Sequence, residues 1–123
     1  MSRAVIDASV LAAAWLPSQH LTEAEHLLQS ITSLYAPELI RLEFYNTVHR
    51  LSRRGSLTMD EADQRLTKFE QLSASILQDS SWLPRATRVA RRYNHRHVYD
   101  AIYLACAEDL DAELWTCDAR FVR

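Results

Sequence analysis

Apolar residues recur along this chain as short extended runs separated by helical stripes, a pattern that predicts alternating strands and helices. Ala4-Val5-Ile6 reads as a buried strand. Ala8 to Leu16 is the apolar helix that follows it, closed by Pro17-Ser18. A second helix starts at Thr22, where Thr22-Glu23-Ala24-Glu25 has the form of a capping box ahead of Leu27, Leu28 and Ile31. Leu34-Tyr35-Ala36 is the next strand, and Pro37 fits the first turn of a long helix that ends near Arg54, with Gly55 as its stop. Thr58-Met59-Asp60-Glu61 is another capping box, opening a helix that turns Leu66, Phe69 and Leu72 inward. Ser75-Ile76-Leu77-Gln78 reads as a strand. Ser80 or Ser81 caps a helix that tolerates Pro84 near its start and ends near Asn94. Helix Tyr99 to Leu110 then leads to a last strand, Leu114 to Cys117. Strands separated by helical crossovers long enough for parallel pairing predict an α/β fold, a three-layer α/β/α sandwich on a short parallel sheet, as one domain over residues 1–123.

Composition narrows the class. A chain of 123 residues buries about two-thirds of its unfolded surface, so a core needs no disulfide or metal staple. With 48% hydrophobic and 24% charged residues, and only one glycine and three prolines, a disordered or loop-dominated chain is excluded. There is no apolar run of about eighteen residues to span a membrane, and the chain opens directly into its first strand without signal-peptide features. The expectation is a soluble, cytoplasmic protein. Cys106 and Cys117 lack C-x-x-C spacing and are expected as buried free thiols. The net charge of −2 argues against nucleic acid, but between Pro84 and Val98 there are five arginines and no acid.

The candidate chemistry lies in acids placed at element boundaries. Asp7 follows the first strand, Asp118 follows the last, Asp100 sits in the first turn of a helix, and Glu43 lies inside one. In an open α/β sheet the carboxyl ends of parallel strands border the ligand crevice, so Asp7 and Asp118 would face one pocket. Crowded carboxylates repel one another, and a divalent cation such as Mg²⁺ or Mn²⁺ relieves that repulsion. Taken singly, each aspartate is equally explained as a helix cap, and Glu43 as a solvated flank of its helix. Ser9 and Thr116, two residues from Asp7 and Asp118, would orient ligands or bond locally to the backbone. Asn46, one turn after Glu43, could hold its carboxylate.

Together, Val5-Ile6-Asp7-Ala8-Ser9, the segment Pro37 to Asn46, Tyr99-Asp100-Ala101-Ile102-Tyr103-Leu104-Ala105 and Thr116-Cys117-Asp118-Ala119-Arg120-Phe121 resemble the PIN-domain ribonucleases, particularly the VapC-like toxins. The resemblance covers nearly the whole chain. It implies a PIN-like fold and a metal-dependent endoribonuclease whose ring of acids is Asp7, Glu43, Asp100 and Asp118, binding Mg²⁺ or Mn²⁺. It also implies an RNA substrate, a homodimer and a cognate antitoxin. Proteins of that family usually continue past the Thr-x-Asp motif into a further strand, whereas only Ala119 to Arg123 follow here; either the chain is naturally short or it has been trimmed, and the expectation is a sheet with one edge unpaired where that final strand would lie.

Arg85, Arg88 and Arg92, at helical spacings of three and four, and Arg96 beyond them would match an RNA backbone, with Tyr93, His95 and His97 as flat groups for unpaired bases. The same arginines could instead form a solvated face or pair with the acidic Glu108 to Glu113 region. Trp15, Leu16, Tyr45 and Trp82 exceed what a small core needs and are expected on a covered surface. A receiver domain would need a lysine near the last strand, and the only lysine is Lys68. A haloacid-dehalogenase-type phosphatase would need Asp-x-Asp where this chain has Asp7-Ala8-Ser9. The rival from another class is a non-catalytic PIN-like module that binds RNA or protein.

Overall fold

The structure is a computed structural model that describes residues 3–17, 22–31, 33–78 and 80–117. Strand β1 (Arg3–Ile6) is followed by α1 (Ala8–Trp15), α2 (Thr22–Ser30), β2 (Ser33–Pro37), α3 (Leu39–Arg53) and α4 (Met59–Glu70). The chain continues through β3 (Ser75–Leu77), α5 (Trp82–Arg92), α6 (Val98–Leu110) and β4 (Glu113–Trp115). The strands form one parallel sheet in the order β3-β2-β1-β4, with Val5 opposite both Tyr35 and Leu114. Helices α1 to α4 pack among themselves, as do α5 and α6, and the sheet lies between these groups with α6 against β1, β2 and β4. The expected three-layer α/β/α arrangement is therefore present.

Strand β1 is fully buried from Ala4 to Ile6, as a central parallel strand covered on both faces must be. Ile6, Leu11, Ile40, Phe44, Val48 and Val89 are among the largest side chains with almost no solvent contact. Phe44 stacks on Phe69 with ring centroids 5.2 Å apart and receives the edge of Trp15 at 5.9 Å, which ties α1, α3 and α4 together. Thr58 and Glu61 form the expected reciprocal capping box at the start of α4. Three helices end with one residue in the left-handed region: Gly55 (φ 79°), Asn94 (φ 56°) and Asp111 (φ 50°). In each case the next amide donates back to the carbonyl five residues earlier: Ser56 to Leu51, His95 to Ala90 and Ala112 to Ala107. This geometry satisfies carbonyls that a helix end would otherwise leave open, and glycine, asparagine and aspartate tolerate it best.

Several sequence expectations change. Pro37 closes β2 instead of opening α3. Its ring needs no ladder donor at a strand end, and the Glu38 amide bonds the Leu77 carbonyl at 2.9 Å in its place. Ser81 takes the N-cap position of α5 in a helical conformation, without a side-chain capping bond. Leu16 and Trp82 are core residues. Leu16 is 1% exposed, and Trp82 is 3% exposed with its indole N–H donating to Asp109 at 3.0 Å, so neither marks a covered outer surface. Strand β4 ends at Trp115, which leaves Cys117 beyond it and exposed, while Cys106 is buried as expected. No described helix is long and apolar enough to cross a membrane.

Candidate active site

The sheet order places β1 between β2 and β4: the chain runs from β1 outward through β2 to β3 on one side and then returns past β1 to β4 on the other, which opens a crevice at the carboxyl ends of β1 and β4. Asp7 stands at that point, directly after β1, and is 4% exposed. Its Oδ1 accepts from the Ser9 amide at 3.0 Å, from the Ser9 hydroxyl at 2.5 Å and from the Val10 amide at 3.4 Å. Its Oδ2 accepts from the Thr116 hydroxyl, just past β4, at 2.5 Å. Asp7 is therefore the N-cap of α1, and the capping reading and the site reading hold for the same residue. Burial pushes its carboxyl above the ordinary range, against the opposing pull of the bonds from Ser9, Thr116 and Val10.

Ser9 belongs to α1 and not to an extended segment, so the turn of the cap brings it to Asp7, not strand alternation. Its hydroxyl also lies 3.3 Å from that of Thr116 and accepts from the Cys117 amide at 2.8 Å. Ser9 and Thr116 thus lock Asp7 between the ends of β1 and β4. The Cys117 thiol is raised by partial burial and then by the Asp7 charge, which places it beside the same crevice.

Asp100, in the first turn of α6, is 8% exposed; Asp7 and Asp100 are the buried charged residues among those described. One turn further along α6, the Tyr103 hydroxyl donates to Glu43 Oε1 on α3. Residues three apart on a helix share a face, so Asp100 and Tyr103 lie along one side of α6. Burial, the Glu43 charge and the bond to it, and then the Asp7 charge hold the Tyr103 phenol far above its usual value, so it remains a donor. Tyr103 is the site residue that the sequence reading left out. The available signal was its place one turn after Asp100, a hydroxyl-bearing ring in an otherwise Ala-, Ile- and Leu-rich helix. Asn46 is exposed on α3, one turn beyond Glu43. Asp118 lies outside the described residues.

The donors gathered here are all oxygens, two of them on buried carboxylates, a set that suits Mg²⁺ or Mn²⁺. Among the described residues, no group of three or more carboxylate, histidine or cysteine side chains stands at metal-holding spacing. Magnesium keeps several waters and takes only one or two carboxylates, so an open rim is compatible with it.

On the α5–α6 face the arginines divide. Arg85 lies 3.5 Å from Glu108 and 3.9 Å from Asp109, and Arg92 lies 3.4 Å from Glu108. The expected alternative, pairing with the acidic stretch after α6 begins, therefore applies to these two. Such half-exposed pairs are worth only about 0–1 kcal/mol and yield readily to a stronger anion. Arg88 and Arg96 are exposed.

The PIN domain family model matches residues 4–123. Ribonuclease VapC3 of Pyrobaculum aerophilum is 32% identical over 122 residues, spanning 93% of this chain and 88% of its own length. The crystal structure of PAE2754, also from Pyrobaculum aerophilum, superposes with a TM-score of 0.75 at 25% identity, covering 97% of this chain and 76% of that one. A toxin–antitoxin complex from Klebsiella pneumoniae gives a TM-score of 0.66 at 19% identity over 94% of this chain and 87% of its own, a likeness of fold alone.

Proposed function

The chain belongs to the PIN-domain family and is homologous to a VapC ribonuclease, and from that premise we propose that it is a metal-dependent endoribonuclease acting as the toxin of a toxin–antitoxin pair. The observation that supports this reading is that buried Tyr103 bonds Glu43 and feels the charge of Asp7, with buried Asp100 one turn earlier on the same helix, near the switch point of the sheet. A solvated flank or a simple cap would not need a buried tyrosine between carboxylates from separate elements.

Asp7, Glu43, Asp100 and, on the sequence alone, Asp118 would hold the cation, one or two of them directly and the others through its waters. When bound, Mg²⁺ or Mn²⁺ supplies positive charge against the scissile phosphate and lowers the pKa of water at the site. The residues themselves do the positioning. Ser9 and Thr116 fix both oxygens of Asp7, and Tyr103 fixes one oxygen of Glu43, so the carboxylates need little reorganisation as charge develops. In the hydrolysis, a water oxygen bonds to phosphorus, one P–O ester bond breaks, and the water proton is delivered to the leaving oxygen. Arg85, Arg88, Arg92 and Arg96 would hold the RNA backbone leading to the site.

A homodimer and an antitoxin complete the proposal. Exposed Leu42, Tyr45 and Met59 supply apolar surface for such contacts, and the Klebsiella protein of the same fold was solved in a toxin–antitoxin complex. The central test is RNA cleavage in Mn²⁺ by the wild type, Asp7→Asn and Asp100→Asn. Cleavage by the wild type and its loss in both variants is the expected result. Equal cleavage by all three, or none by the wild type, refutes the assignment.

A further inference from the structure

The connection between α5 and α6 borders a half-open cavity of about 640 Å³ lined by residues 93–97, Tyr99 and Asp100. That volume falls within the range of sites for small organic ligands, roughly 300–1,000 Å³. Its walls are unusual for a polar surface loop. His97 and Tyr99 stack nearly parallel, with centroids 4.8 Å apart and planes 7° apart, and Tyr93 stacks on His95 at 6.0 Å and 30°. Tyr99 is 51% exposed, so this ring surface is not part of the core. The left-handed turn at Asn94, with the His95 amide bonded to the Ala90 carbonyl at 2.8 Å, fixes where α5 stops and where this wall begins. Exposed Arg96 adds positive charge to the lining, and the one acid in it is Asp100.

We propose that this cavity is a nucleobase subsite. It takes an unpaired base of single-stranded RNA on the His97–Tyr99 stack, next to the scissile phosphate at Asp100, with Arg96 against the flanking backbone. The proposal rests on the ribonuclease reading above and specifies the form of its substrate. An aromatic face accepts any base, because every base presents a π surface, so the subsite would be tolerant of sequence. It would not be tolerant of pairing, since a base inside a duplex has both faces occupied. Proximity to Asp100 gives the subsite a positioning role. A base seated there sets the register of the backbone across the acidic crevice.

The test uses the full chain and a short single-stranded RNA carrying aminopurine, a base analogue whose fluorescence falls when it stacks. A duplex of the same sequence is the comparison. Binding is followed in Ca²⁺ and cleavage in Mn²⁺, with circular dichroism to check the fold of each variant. Tyr99→Ala should weaken single-strand binding about 5- to 150-fold, the usual worth of one base–aromatic stack. Tyr99→Phe should bind as the wild type does. Quenching should be seen with the wild type and Tyr99→Phe and be lost with Tyr99→Ala, while Mn²⁺ affinity stays the same in all three. Normal binding, quenching and cleavage by Tyr99→Ala would overturn the subsite and leave the nuclease reading standing. Equal affinity for single strand and duplex without quenching would also overturn it, leaving backbone contact alone. Failure of the wild type to bind or cleave RNA would remove both.

Discussion

Replacing Asp7 by asparagine should separate its work as a helix cap from its work in the site. Asparagine caps a helix about as well as aspartate, so the bonds from the Ser9 and Val10 amides survive, whereas alanine loses them at about 1 kcal/mol. For a domain of this size that is about 3 to 6 °C in Tm. Burial raises the Asp7 carboxyl, so the folded state holds its proton more tightly than the unfolded chain does. That contribution is present below the ordinary carboxylate pKa and is lost as pH rises through the raised value. At neutral pH, metal-free Asp7→Asn is therefore expected to melt at or above the wild type, and Asp7→Ala below both. Metal reverses the order. At Mn²⁺ about 100 times its Kd, the wild type gains about 2.7 kcal/mol, or about 8 to 16 °C. If asparagine weakens the site about 100-fold, the same Mn²⁺ concentration gives about 0.4 kcal/mol, or about 1 to 2 °C. Differential scanning fluorimetry with and without Mn²⁺ measures all of these shifts. Equal Mn²⁺ shifts in wild type and Asp7→Asn would show that Asp7 holds no metal. Melting of metal-free Asp7→Asn together with Asp7→Ala would refute the capping and burial argument.

Tyr103→Phe keeps the ring in its buried place and removes only the bond to Glu43, so Mn²⁺ affinity measured by calorimetry should fall about 10- to 100-fold while the fold persists; unchanged affinity would mean that the tyrosine does not support the site. Arg88→Ala should flatten the salt dependence of single-stranded RNA binding by about 0.7 in slope, and Arg85→Ala by less, because Arg85 must first leave Glu108 and Asp109. An unchanged slope in Arg88→Ala would place the RNA on another face. The Glu61 carboxyl is held below its usual value by the Thr58 amide and hydroxyl, so its stabilising contribution is present above the ordinary glutamate pKa and is lost as pH falls through the lowered one. Glu61→Gln should therefore reduce the acid-side slope of Tm against pH, and an unaltered slope would rule out that linkage.

The sequence by itself determined the order of strands and helices, the capping box at Thr58, the left-handed stop at Gly55 and the boundary positions of Asp7 and Asp100. These are local consequences of periodicity and cap chemistry, which neighbouring residues carry among themselves. Only the tertiary structure decided which surfaces meet. Leu16 and Trp82 read as surplus apolar surface until packing covered them, and Arg85 and Arg92 could be read either as an RNA-binding face or as partners of the Glu108 to Glu113 region until α6 brought Glu108 alongside. Tyr103 meets Glu43 across 60 residues, and Thr116 meets Asp7 across 109, because sheet order, not chain order, sets what stands beside the end of β1. Contacts of that range are made by the pairing order of the strands and by the helices it brings to one end of the sheet, and no window along the chain contains both partners.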